Sequence, residues 1–263
     1  MTIAMSRTAT FAVTVLLAVG MAATSPARAV EGALDPIDRS WPHAGLFGTY
    51  DRAAAQRGLQ VYREVCSGCH SLDYVAFRNL QALGFGEEEV RSLAGESTVI
   101  DGPDEAGDMF ERPATPADYF PAPYPNEQAA RAANGGALPP DLSLLTKARP
   151  EGTDYLYSVL LGYEEPPAGE EGPEGMYYNL YFPGHWIGMP PPLAEGQVAY
   201  ADGTEATVEQ MASDVTTFLT WAAEPTLEAR KQTGLKVMLF LIVLTGLLYA
   251  TKRKVWAQLY RTA

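Results

Sequence analysis

Cysteine, histidine and, over most of the length, positive charge are scarce in this chain. Its 263 residues include two cysteines, three positions apart, and three histidines. A closed structural zinc site needs four ligands, and this pair with one nearby histidine falls short. A disulfide between cysteines so close suits helical geometry poorly. From Val30 to Gln232 there are 12 basic residues against 32 acidic ones, a net charge of −20. The whole-chain value of −13 conceals this, because seven of the nineteen basic residues lie outside that stretch. Such a field repels nucleic acid and favours a basic partner. The plainer alternative is that acidic loops keep the domain soluble. No internal repeat appears, and no βαβ pattern surrounds the cysteines.

What is present at those cysteines is Cys66-Ser67-Gly68-Cys69-His70. C-x-x-C-H is the attachment signal for a c-type haem: two thiols bond to the porphyrin and the histidine ligates the iron. One motif implies one covalent haem c, with His70 as its proximal ligand, and one-electron transfer as the business of the chain. A dithiol oxidoreductase would use the two cysteines without needing His70.

The two ends carry apolar segments. Arg7, the apolar run Phe11 to Ala23 and Ala27-Arg28-Ala29 read as a secretory signal over residues 1–29, too short to span a bilayer. An uncleaved anchor is the alternative. Residues 233–251 form a second run; as a helix it reaches about 28 Å, close to the hydrocarbon thickness. Lys252-Arg253-Lys254 follow it, so residues 252–263 are expected in the cytoplasm. No polar face recurs within the run at helical spacing, which weighs against a buried core helix. Residues 30–232 are then a single exported, periplasmic domain.

Within that domain, Asp51 to Cys66 reads as a helix capped by Asp51, with Ala55, Leu59, Tyr62, Val65 and Cys66 on one stripe. Gly58 interrupts it and makes sense where another helix backbone crosses closely. The candidate is Thr207 to Ala223, with a Thr207–Gln210 capping box and Val208, Met211, Val215, Phe218, Leu219 and Ala222 as its apolar stripe. Pro225 ends it. Asp154 to Leu161 suggests a short helix, and Val198 to Gly203 a small hairpin. Residues 96–128, with six prolines, and residues 164–175 read as loops. Acidic clusters fall at Glu87–Glu89, Asp101 to Glu111, Glu164-Glu165 and Glu170 to Glu174; the first reads as a merely solvated loop.

The sixth iron ligand is open on pattern alone. Met189 sits in Ile187-Gly188-Met189-Pro190-Pro191-Pro192, where prolines stiffen the loop and glycine permits close approach. His185 and Met109 are rivals; Met211 belongs to a helix stripe. Met/His ligation raises the potential relative to bis-histidine.

These segments resemble the cytochrome c1 family, the haem subunits of cytochrome bc1 complexes. The likeness runs through 41–51, the 57–70 haem-attachment segment, 131–143, 162–167, 177–184, 187–193 and 221–225, and includes the final span. It implies a mostly α, class I cytochrome c-like domain with long loops, in which an N-terminal and a C-terminal helix cross over the haem, plus one transmembrane helix. It implies Met189 as the axial ligand opposite His70, and Asn134, Pro139, Pro140, Arg149 and Tyr155 lining the haem. Arg149 would pair a propionate, with Arg131 as rival. It implies electron relay from a Rieske iron–sulfur protein to a soluble cytochrome c, packing against cytochrome b, a dimeric complex in a bacterial inner membrane, and no catalytic site in this subunit itself. Cysteines of an additional distal disulfide found in some relatives are missing here.

Overall fold

The computed structural model describes residues 33–259; the expected export signal lies outside them. The described chain is mostly helical. In order it forms α1 (Arg52–Val61), a π-type turn (Tyr62–Cys66), a 3-10 helix (Phe77–Leu83), α2 (Glu87–Gly95), β1 (Thr98–Asp101), β2 (Phe110–Pro113), α3 (Glu127–Ala133), α4 (Leu145–Ala148), α5 (Gly152–Leu161), β3 (Tyr177–Tyr178), β4 (Trp186–Ile187), α6 (Val208–Ala223) and α7 (Leu227–Leu259).

The crossing of α1 and α6 organises the domain. Asp51 caps α1 by accepting the Ala54 N–H, 3.0 Å. The Thr207 hydroxyl accepts the Gln210 N–H, 3.1 Å. The return half of that capping box is not made: the Gln210 amide donates to Asp214 instead, 3.0 Å. Asp214 is fully buried and accepts two bonds from Arg57, both 2.9 Å. A buried carboxylate needs these donors more than the cap does. At Gly58 an added Cβ would overlap the Asp214 carbonyl oxygen, so this glycine lets the helices touch backbone to backbone. Ala55, Leu59 and Tyr62 pack with Met211, Val215, Phe218 and Leu219 in the core.

The expected short helix is present as α5. The hairpin at 198–203 is not. Val198 and Tyr200 are buried in the core, Asp202 pairs with Arg57 at 2.9 Å, and the segment is a turn. Residues 96–128 are not all loop either: β1 and β2 pair antiparallel, Thr98 opposite Pro113 and Asp101 opposite Phe110. Arg112 clamps the pair, bridging Asp101 and Asp118. Glu87–Glu89 form the first turn of α2 rather than a loop, where carboxylates favour the helix dipole. Glu87 and Glu88 both pair with Arg91.

The apolar run 233–251 lies inside α7. A 31-residue stretch, Leu227–Ala257, is long and apolar enough to cross a membrane, with mean hydropathy 1.9 and no residue of its apolar 18-residue window buried inside the protein. That exposure removes the core-helix alternative.

Candidate haem site

Cys66 ends the π-type turn that continues α1, with Ser67 N–H donating to the Tyr62 carbonyl at 2.8 Å. Cys69 and His70 both return their N–H groups to the Cys66 carbonyl, 3.1 and 2.9 Å. The helix thus closes on itself, with Cys66 half-buried and Cys69 exposed. Burial pushes the Cys66 thiol up to about 12, with Cys69 adding to it. A reactive dithiol needs the opposite shift.

His70 is held from the far side. Its Nδ1 lies 2.8 Å from the Pro140 carbonyl oxygen. A carbonyl can only accept, so Nδ1 carries the proton and Nε2 keeps the lone pair. Burial holds the His70 pKa below its ordinary value, against the opposing effects of the Pro140 bond and Asp141. The imidazole is therefore neutral, as metal ligation demands.

The Pro139-Pro140 loop is pinned where it must be. Asp141 accepts from the Ser71 hydroxyl at 2.9 Å, the Asp73 N–H at 2.8 Å and the Ser143 N–H at 2.9 Å. Leu142 N–H donates to the Ser71 carbonyl, 3.0 Å. Upstream, the Asn134 amide donates to Ala130 O at 2.7 Å and Tyr124 Oη at 3.2 Å, and that hydroxyl lies 4.0 Å from Cys69 Sγ. Asn134 therefore reaches the thiol pair through Tyr124.

The same loop meets the Met189 segment. The Cβ position of Gly188 lies 3.1 Å from Ala137 Cβ. Tyr163 donates its hydroxyl to the Met189 carbonyl, 3.1 Å. Tyr163 feels Tyr155, and the nearby Arg149 charge offsets part of the upward shift burial imposes on Tyr155. Loop 134–143 is thus the shared wall between the His70 side and the Met189 side.

The rivals for the sixth position lie in settings of their own. His185 has a positive φ of 63°, its Nδ1 lies 3.1 Å from the Asn179 carbonyl, and its ring stacks on Tyr178. Met109 is 61% exposed in the β1–β2 connection, and Met211 is fully buried in α6. Arg131 turns back onto its own loop, donating to the Gly136 carbonyl at 3.2 Å.

Sequence reading missed Tyr124, Asp141, Tyr163 and the π-type turn. Asp141 had a signal, since an aspartate two residues before Ser143 is a common local cap. The two tyrosines had none; they act only across loops far apart in sequence.

The donor set fits a c-type haem: two thiols at the attachment spacing, a neutral imidazole with one nitrogen anchored, and a thioether beyond the shared loop. Residues 41–259 match the Cytochrome C1 family. The chain is 51% identical to cytochrome c1 of Rhodospirillum rubrum over 259 residues, covering 92% of this chain and 95% of that one. It is 53% identical over 230 residues to the mitochondrial cytochrome c1 heme protein of Saccharomyces cerevisiae, covering 87% and 74%. It is 55% identical over 253 residues to cytochrome b/c1 of Bradyrhizobium diazoefficiens, covering 88% of this chain but 37% of that longer one. Matched from Trp41 to the end of α7 and half identical to these relatives, the chain belongs to the cytochrome c1 family.

Proposed function

We propose that this chain carries one covalent haem c on Cys66 and Cys69 and relays single electrons within a quinol–cytochrome c oxidoreductase. The observation that carries the reading is the His70–Pro140 bond beside the thiol pair, which fixes the tautomer a proximal ligand needs. When bound, the haem supplies reversible one-electron iron chemistry. The protein's part is to hold and insulate it. His70 and Met189 are the proposed axial ligands. Asn134, Pro139, Pro140, Arg149 and Tyr155 are the proposed lining, with Arg149 fixing a propionate by a charge-assisted bond. Arg149 is exposed and spends one N–H on the Ala148 carbonyl, 3.3 Å, so its fork has donors to give.

The proposed donor is a Rieske iron–sulfur protein and the proposed acceptor a soluble basic cytochrome c. The name of the Bradyrhizobium relative, joining b to c1 in one chain, supports cytochrome b as the neighbour of α7. Lys252, Arg253 and Lys254 at the far end of α7 support a cytoplasmic C-terminus and a periplasmic haem domain in a bacterial inner membrane. The proposed complex is a dimer. Loop 164–174 supports an acidic docking surface: its five glutamates are exposed and in no ion pair among the described residues. It also packs beside the Met189 segment, since a Cβ on Gly172 would enter the Trp186 ring.

The test is the spectrum of the purified full chain with a pyridine haemochrome assay. A c-type product that stays on the denatured chain is expected, with at most one thioether left in Cys66→Ala. A colourless chain with two titratable thiols would sink the reading.

A further inference from the structure

We propose that loop 42–49 is a membrane foot, whose tip residues Leu46 and Phe47 insert into the lipid headgroup–acyl boundary beside α7. This rests on the reading of α7 as a transmembrane helix. Phe47 is 77% exposed and Leu46 58% exposed, unusual for adjacent large apolar side chains. Trp41 to Tyr50 holds no Asp, Glu, Lys or Arg, in a domain that is otherwise strongly acidic.

The loop is built to hold that shape. Ala44 N–H donates to the Trp41 carbonyl at 2.9 Å, and Thr49 N–H to the Pro42 carbonyl at 3.0 Å. Gly45 has φ 69°, and a Cβ on Gly48 would overlap the Ala44 carbonyl. Its base is fixed to α7: Lys231 Nζ donates to the carbonyls of His43 at 2.6 Å and Gly48 at 3.2 Å. Tyr50 N–H donates to Glu228, 2.9 Å.

The height of this fixing point follows from helix geometry. A hydrocarbon core of about 30 Å takes about twenty helical residues. Counted back from Thr251, just before the cationic cluster, that length ends at Gln232, next to Lys231. The lysine thus lies at the outer boundary, where its ammonium stays polar by binding the loop carbonyls. Leu46 and Phe47 line a crevice of about 210 Å³ with Glu228, Lys231, Gln232 and Leu235, which sets the tip beside this boundary turn of α7. An apolar tip at that level, continuous with the apolar surface of α7, matches lipid.

Nitroxide labels on Phe47→Cys and, separately, Leu46→Cys test this in the haem-loaded complex reconstituted in phospholipid vesicles. Ile242→Cys reports the span and Ala106→Cys the aqueous face; an intact haem spectrum certifies each fold. Labels at 46 and 47 are expected to meet dissolved oxygen freely and a water-soluble nickel chelate several-fold less than the label at 106. Nickel reaching 46 and 47, while 242 stays protected, overturns the foot alone. Protection from both oxygen and nickel also overturns it, because protein then covers the tip. Nickel reaching 242 overturns the membrane reading and the foot together.

Discussion

Gly58 of α1 lies against the carbonyl oxygen of Asp214 in α6 so closely that the two helix backbones are in contact. No other residue fits, because a Cβ would occupy the oxygen's place and press on Phe218 as well. Gly58→Ala gains helix propensity of about 1 kcal/mol. It must also push α6 away from α1, and overpacking typically costs about 1–3 kcal/mol. The clash is with backbone, which cannot rotate aside and puts the cost at the upper end of that range, so we expect net destabilisation of the haem-loaded protein by up to about 2 kcal/mol. Denaturant unfolding of the variant checks this; equal or greater stability would mean the helices are free to part.

His43 sets a pH dependence. Its ring stacks between Trp41 and Tyr50, and its Nδ1 is buried without a partner. Burial and Lys231 push its pKa down to about 4, against an opposing pull from Asp154. The folded state therefore holds this imidazole neutral while the unfolded chain protonates it near 6.5. Its contribution to stability is whole above pH 6.5 and is lost as pH falls toward 4, by up to about 3 kcal/mol. Depressed carboxylates such as Asp202 act in the same direction at lower pH. Unfolding of His43→Phe against the parent chain between pH 7 and 4 should show a shallower decline; parallel curves would remove His43 from the account.

Met189→Leu should keep the haem attached and open its sixth position. The potential should fall and carbon monoxide should bind the reduced form. His185→Ala should retain the native spectrum, because that ring already faces Asn179 and Tyr178. The opposite pair of results would assign the ligand to His185.

Neutralising Glu164, Glu165, Glu170, Glu171 and Glu174 should flatten the ionic-strength dependence of electron transfer to a basic cytochrome c. The potential should not move. Exposed charges act mainly on encounter, and salt screens them beyond about 10 Å at 0.1 M. Stopped-flow rates at several salt concentrations decide it. A parent rate indifferent to salt would leave the charge with a role in solubility only.

Truncation after Gln232 should release a water-soluble haem domain with an unchanged spectrum, because Glu228 and Lys231 remain to hold loop 42–49. Truncation after Thr226 removes both and should lower the midpoint of thermal unfolding. Aggregation of the longer, haem-loaded form would show that the membrane boundary lies nearer the domain.

Sequence alone determined what chemistry writes locally. The thiol pair and His70 are contiguous, so their spacing is legible without a fold. The caps at Asp51 and Thr207, the stripes of α1 and α6, and the apolar run in α7 are periodic signals of single elements. Even the tight crossing at Gly58 could be inferred, because a glycine inside a good stripe needs a reason. Tertiary structure decided what depends on distant partners. Which nitrogen of His70 is free depends on the Pro140 carbonyl, seventy residues away. The placing of His185 against the Asn179 carbonyl, next to a strand pair two residues long, is something no propensity reveals. The hairpin expected at 198–203 gave way because Arg57 took Asp202 and the core took Tyr200. Local pattern reports what a segment prefers, whereas long-range hydrogen bonds and buried charges settle which preference survives.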